Sequence, residues 1–181
     1  MALEQEKVEE IRDWFRKDPS RMTMVAARHF GVNEQDVIEA LKTEWPITEL
    51  RAENFEAVME GLQQVGLVRI FVRSAAVVME CDGNLGEASY SKTGPFFNID
   101  GGGIDMHIMY KDITSIYALE KQSHMNPEDH TYSLQFFDKH GNSAFKIFLW
   151  QDFPKTPAAV VEKYRELVAA NAVGETAGAS A

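Results

Sequence analysis

Apolar residues recur at helical spacing through the first third of the chain. Val8, Ile11, Trp14 and Phe15 share one helical face, and Asp18-Pro19-Ser20 ends that helix while capping the next. Met24, Val25 and Phe30 carry the pattern to Gly31, which suits the left-handed position after a helix. Asn33, followed by Asp36, is an N-cap for a third helix bearing Val37, Ile38 and Leu41. Trp45-Pro46 breaks it. Phe55, Val58, Met59 and Leu62 predict a fourth helix ending near Gly66.

At Leu67 the period changes. Leu67 to Phe71 and Ala75 to Cys81 are β-type runs, and a Gly-rich polar loop is expected from Asp82 to Pro95. Phe96 to Asp100 and Ile104 to Tyr110 read as strands joined by Gly101-Gly102-Gly103. Ile113 to Glu120 is a further strand, and Gln122 to His130 a polar loop. Tyr132 to Phe137 and Ala144 to Trp150 flank Asp138-Lys139-His140-Gly141-Asn142, a hairpin signal. After Pro157, a last helix carries Val160, Val161, Tyr164, Leu167 and Val168. Helices, a strand meander and a helix predict an α+β fold. Residues 1–66 form its helical part and 67–172 a large antiparallel sheet with a closing helix, all one domain; residues 173–181 read as a flexible tail.

A sheet with one wet face alternates apolar and polar residues. Here Phe145, Ile147 and Leu149 oppose Lys146, Phe148 and Trp150, and Tyr132, Leu134 and Phe136 oppose Ser133, Gln135 and Phe137. Both faces are partly apolar, so something covers the second one: helices of the chain, a partner subunit or a large flat apolar ligand.

Composition narrows the classes. With 181 residues, 45% hydrophobic and 25% charged, the chain is an ordinary globular one. Lys+Arg 18 against Asp+Glu 28 leaves a net charge of −10, which repels nucleic acid and anionic lipid unless a basic patch overrides it. The acidic, polar start lacks the features of a secretory leader, and no apolar run is long enough to span a bilayer. One cysteine, Cys81, excludes an intrachain disulfide and multi-cysteine metal sites, and cytoplasmic residence is the expectation.

Candidate chemistry is sparse. Ala27, Gly31 and Val37 fit a helix-turn-helix, but the would-be recognition helix opens Asn33-Glu34-Gln35-Asp36 and adds Glu39, so a structural helical hairpin is expected rather than DNA binding. His29 reads as a boundary residue, and His124, His130 and His140 as solvated loop or turn residues. His107 stands mid-strand, sharing a face with Asp105, Met109 and Lys111. It is either a solvated histidine or an axial ligand for an iron porphyrin held on an apolar face. Cys81 is expected to be a buried structural thiol, and the three glycines a hairpin turn rather than a phosphate cradle. No carboxylate pair or metal-site spacing singles out an enzyme class.

From Leu67 to Asp152 the chain resembles the HutX/ChuX family of haem-utilisation proteins. The resemblance is carried by Phe96-Phe97-Asn98-Ile99, by Gly103-Ile104-Asp105-Met106-His107-Ile108, and by the run from Phe137 to Leu149, which follows the pattern F-x-x-x-G-x-S-x-x-K-I-F-L. Phe71-Val72-Arg73-Ser74 is similar to the haem-contacting strand of the two-repeat HemS/ChuS type, of which this chain holds one copy. The resemblance implies a homodimer with haem at the broad sheet and His107 as the axial iron ligand. Arg73 falls where relatives carry arginine or histidine, and Phe96 where some carry an iron-ligating tyrosine. Lys146 is a propionate partner or a surface lysine, and Arg73, Lys92, Lys111 and Lys146 would form the basic spot an anionic porphyrin needs. The implied function is intracellular haem trafficking and storage, with a haem-delivering transporter or a haem-degrading enzyme as protein partner. The alternatives are a haem-degrading enzyme and a cofactor-free dimeric interaction module.

Overall fold

The N-terminal apolar stripes become three short helices that pack on one another in a computed structural model describing residues 3–74, 76–149 and 156–174. The helices are α1 (Gln5–Lys17), α2 (Thr23–Phe30) and α3 (Glu34–Leu41). Gly31 ends α2 in the left-handed region at φ 66°, and Asn33 and Asp36 form a capping box at the start of α3. Ile11, Phe15, Ala26, Ala27, Val37, Ile38 and Leu41 are buried between the three helices.

Pro46 stops the helical run, but the chain then goes straight into a strand that periodicity did not reveal. β1 (Ile47–Leu50) is four residues long, too short to show alternation, and is defined by pairing antiparallel with Ile116 to Leu119. After a 3₁₀ turn come α4 (Phe55–Val65), β2 (Leu67–Arg73) and β3 (Val78–Asn84). The loop expected from Asp82 to Pro95 contains a further strand, β4 (Glu87–Tyr90). Its polar sequence hides it, and its pairing with β5 (Phe97–Asp100) makes it. The next strand is confined to β6 (Met106–Ile108), since residues 110–112 turn as a 3₁₀ helix. β7 (Ile113–Gln122), β8 (His130–Asp138), β9 (Ser143–Leu149) and α5 (Ala158–Asn171) complete the chain. Ala75, Trp150 and the tail from residue 175 lie outside the described residues.

Nine strands among the described residues make two antiparallel sheets rather than one. Six are ordered β1-β7-β8-β9-β2-β3, and three are ordered β4-β5-β6. The small sheet is anchored by the glycine turn, where Gly101, Gly102 and Gly103 all have positive φ. A Cβ on Gly102 would sit 2.2 Å from the Asn84 carbonyl oxygen, so only glycine lets the turn approach the end of β3, whose Asn84 N–H donates to the Gly102 carbonyl.

The six-stranded sheet is covered on both faces. One face packs Val68, Leu134, Phe136 and Ile147 against α4, α5 and the small sheet. On the other, Tyr117, Leu119 and Phe137 lie under the three N-terminal helices. Each fully buried side chain of this kind contributes about 1.5–3 kcal/mol relative to exposure. The chain's own helices therefore account for the second apolar face over β1, β7 and β8. Towards β9, β2 and β3 the same face is less covered: Phe71 and Phe148 are half-buried and meet edge to face at 6.2 Å.

Candidate functional site

The short strand β6 forms one side of a cavity of about 420 Å³, and the facing wall comes from β2 and β3. The pleat explains the wall's composition. Val72 stands opposite Met79 and Ile70 opposite Cys81 on the sheet face that looks into the cavity, while Phe71 and Arg73 point the other way. Cys81 is half-buried on this wall rather than fully buried in the core. The rim carries Asp105, Asp112 and Asp138. Two of these carboxylates are already engaged: Asp105 Oδ1 accepts the Gly101 N–H, and Asp138 Oδ1 accepts the backbone N–H groups of His140 and Asn142. Those turn contacts hold the Asp138 carboxyl below its ordinary range, although its partial burial opposes them.

His107 lines this cavity from the small sheet and is solvent-exposed, while its neighbours Met106 and Ile108 turn towards the core. Its Nδ1 lies 2.9 Å from Asn98 Oδ1 on the adjacent strand, in register with it. An amide oxygen only accepts, so in the neutral imidazole Nδ1 is the protonated nitrogen and Nε2 the one left with a lone pair. Metal-binding imidazoles are commonly oriented in this way. Phe96 flanks the ring, centroid to centroid 6.4 Å and edge-on. Asn98 escaped the sequence reading because its role depends on the β5–β6 register, which only pairing supplies.

Arg73 and Lys146 sit elsewhere, on the opposite face of the large sheet. Lys146 is neither on the surface nor open to a ligand: it is 4% exposed, and its Nζ donates to Glu34 Oε1 at 2.5 Å. Glu34 Oε1 also accepts from the Thr23 hydroxyl at 2.6 Å, and Arg73 lies 3.6 Å from Glu34 Oε2. Burial pushes the Lys146 ammonium pKa down, against the pull of Glu34. The four sequence-selected residues thus separate into two pairs, His107 with Phe96 and Arg73 with Lys146. The cations expected to make one basic spot are divided as well, since Lys111 leans over the Tyr110 ring and Lys92 is exposed in the loop after β4.

Two of the remaining histidines have structural settings, while His124 and His140 are exposed. His29 stacks on Trp14 at 5.7 Å, and His130 opens β8 beside Glu120 at 3.0 Å. The supposed recognition helix α3 faces the sheet: Gln35 donates to the Tyr117 hydroxyl, which in turn donates to Glu39. Among the described residues, no helix is long and apolar enough to cross a membrane.

An α+β chain with two antiparallel sheets and a histidine-lined cavity between them defines the class. Residues 48–167 match the family described as haem utilisation ChuX/HutX, and the chain belongs to that family. No curated protein sequence matches it. Among solved structures it is similar to a protein from Erwinia carotovora, with TM-score 0.79 and 24% identity over 89% of this chain and 98% of that one. It is similar to the haem-binding protein ChuX, with TM-score 0.76 and 24% identity over 88% and 97% of the two chains. The haem-degrading enzyme ChuS from Escherichia coli O157:H7 aligns with TM-score 0.75 and 17% identity, over 93% of this chain but 48% of ChuS. The chain accordingly has one half of a two-repeat fold.

Proposed function

We propose that this chain binds haem in the cavity between its two sheets and carries it within the cell for haem utilisation, without degrading it. The observation that supports this reading best is the His107–Asn98 pair at the cavity. It leaves Nε2, the nitrogen not engaged by Asn98, beside walls of Ile70, Val72 and Met106. The residues fit the group: 420 Å³ falls within the range of small-molecule sites, the lining is largely apolar, and the imidazole is already oriented. Bound haem supplies an iron that such a nitrogen ligates. Asn98 holds the imidazole tautomer, Phe96 restrains the ring edge-on, and the carboxylates of the rim direct the propionates away from the cavity. Lys111, three residues after β6, and Lys92, in the loop after β4, are cations outside its lining. Arg73, which stays protonated and points from the opposite face, takes no part in ligating iron here. Because the chain is half of a two-repeat fold, we assign it a homodimeric state in which the second copy supplies the other half.

A hemin titration followed by absorbance tests the reading. A Soret shift is expected for the wild type, with affinity at least roughly tenfold weaker in His107→Ala. No shift, or a His107→Ala titration identical to wild type, overturns it. Adding reductant and oxygen, with catalase present, is expected to leave the porphyrin intact; formation of bilin and free iron would make the chain a haem-degrading enzyme instead.

A further inference from the structure

The cavity is rich in sulfur. Met79, Met106 and Met109, three of the chain's eight methionines, line it together with Cys81. Two of those methionines are unusually open, Met79 at 55% and Met109 at 49% exposure, so their thioethers are not spent on core packing. Met106, by contrast, packs against the core below β6. Position separates the two open ones. Met109 follows β6 directly and stands on the same side of the cavity as His107. Met79 comes from β3, on the facing wall.

We propose that Met79 is the second axial ligand of the bound haem, facing His107 across the cavity. The inference rests on the haem-binding reading above and adds the donor that reading leaves open. A planar ligand held by an imidazole from one wall presents its other face to the opposite wall, where Met79 and Cys81 are the iron-binding side chains. A thioether coordinates as a neutral donor and loses no proton. A thiolate from Cys81 would add negative charge to a cavity that already carries Asp105, Asp112 and Asp138. β3 is the outermost strand of the six-stranded order, paired within the chain on one side only, and Met79 lies near its start, away from the end pinned at Asn84. Imidazole–thioether ligation gives a six-coordinate iron with a raised reduction potential. That combination suits a carrier, because a thioether is the weaker of the two ligands and is the one released when haem is passed on.

The experiment uses the full chain loaded with hemin, read by electron paramagnetic resonance for spin state and by potentiometry. Met79→Leu conserves volume at an exposed position, so the fold is retained, which circular dichroism checks. The wild type is expected to be low-spin. Met79→Leu is expected to become high-spin with a lower midpoint potential, while Met109→Leu and Cys81→Ser, which alter the cavity lining but not the ligand, remain low-spin. A Met79→Leu spectrum and potential identical to wild type, or a high-spin wild type, overturns this ligand and leaves haem binding standing. A wild type that takes up no hemin overturns both.

Discussion

His107 offers its Nε2 because Asn98 occupies its other nitrogen, and both face the same side because β5 and β6 pair at that register. A comparable dependence on surroundings governs Lys121. Its Nζ donates to the Ser20 and Gln122 carbonyl oxygens, 3.0 and 2.7 Å away, beneath the N-terminal helices. Burial brings its pKa down to about 8; Asp18 opposes the shift and Lys146 adds to it. A lysine depressed in the folded state is protonated in both states below about pH 8, so its contribution there is constant. Between about pH 8 and the ordinary lysine value near 10.5, the unfolded chain holds a proton that the folded one has lost. Stability therefore rises with pH across that window, by up to about 1.4 kcal/mol per pH unit. Urea unfolding at a series of pH values is expected to show a more positive slope in the wild type than in Lys121→Met, since the buried tyrosines common to both act in the opposite sense. Equal slopes in both would refute the assignment.

At the scale of elements, α3 is tied to the sheet by polar contacts as much as by apolar ones. Lys146 on β9 and Glu34 on α3 form an ion pair with both side chains nearly inaccessible to water. Breaking one partner of such a pair leaves an uncompensated buried charge and costs about 3–5 kcal/mol. Glu34→Gln or Lys146→Met is therefore expected to lower the unfolding free energy measured in urea by that amount, while Glu34→Leu combined with Lys146→Met recovers most of it. If the single variants change stability by less than about 1 kcal/mol, the pair is not holding α3 down. The helical period located α3 correctly, and its acidic residues argued for a structural helical hairpin rather than DNA binding. Folding turned Glu34, Gln35 and Glu39 towards partners on β7 and β9. Those partners lie some 80 to 110 residues away in sequence, and no local pattern announces them.

Across the whole molecule, the six-stranded sheet ends in β3, where Val78 and the preceding Val77 are 46% and 63% exposed. The proposed dimer gives such an edge and the half-covered Phe71–Phe148 face a place to be buried. Sedimentation equilibrium is expected to return about twice the 20.4 kDa chain mass. A strictly monomeric species across the micromolar range would remove the homodimer from the proposal.

Local chemistry in the chain by itself determined the four longer helical segments, the closing helix, the glycine turn and the Asp138–Asn142 hairpin. Each of these depends on residues within a few positions of one another, through helical period, caps and glycine's tolerance of positive φ. His107 was also legible, because alternation alone places it opposite Met106 and Ile108. Tertiary structure decided the rest. β1 and β4 exist only through pairing, and the second sheet face is covered by helices from the other end of the chain. Lys146 met Glu34 rather than a ligand, and the methionines of β3 and β6 came to share one cavity. Such meetings join residues distant in sequence, and their energy belongs to contacts that an isolated segment never makes.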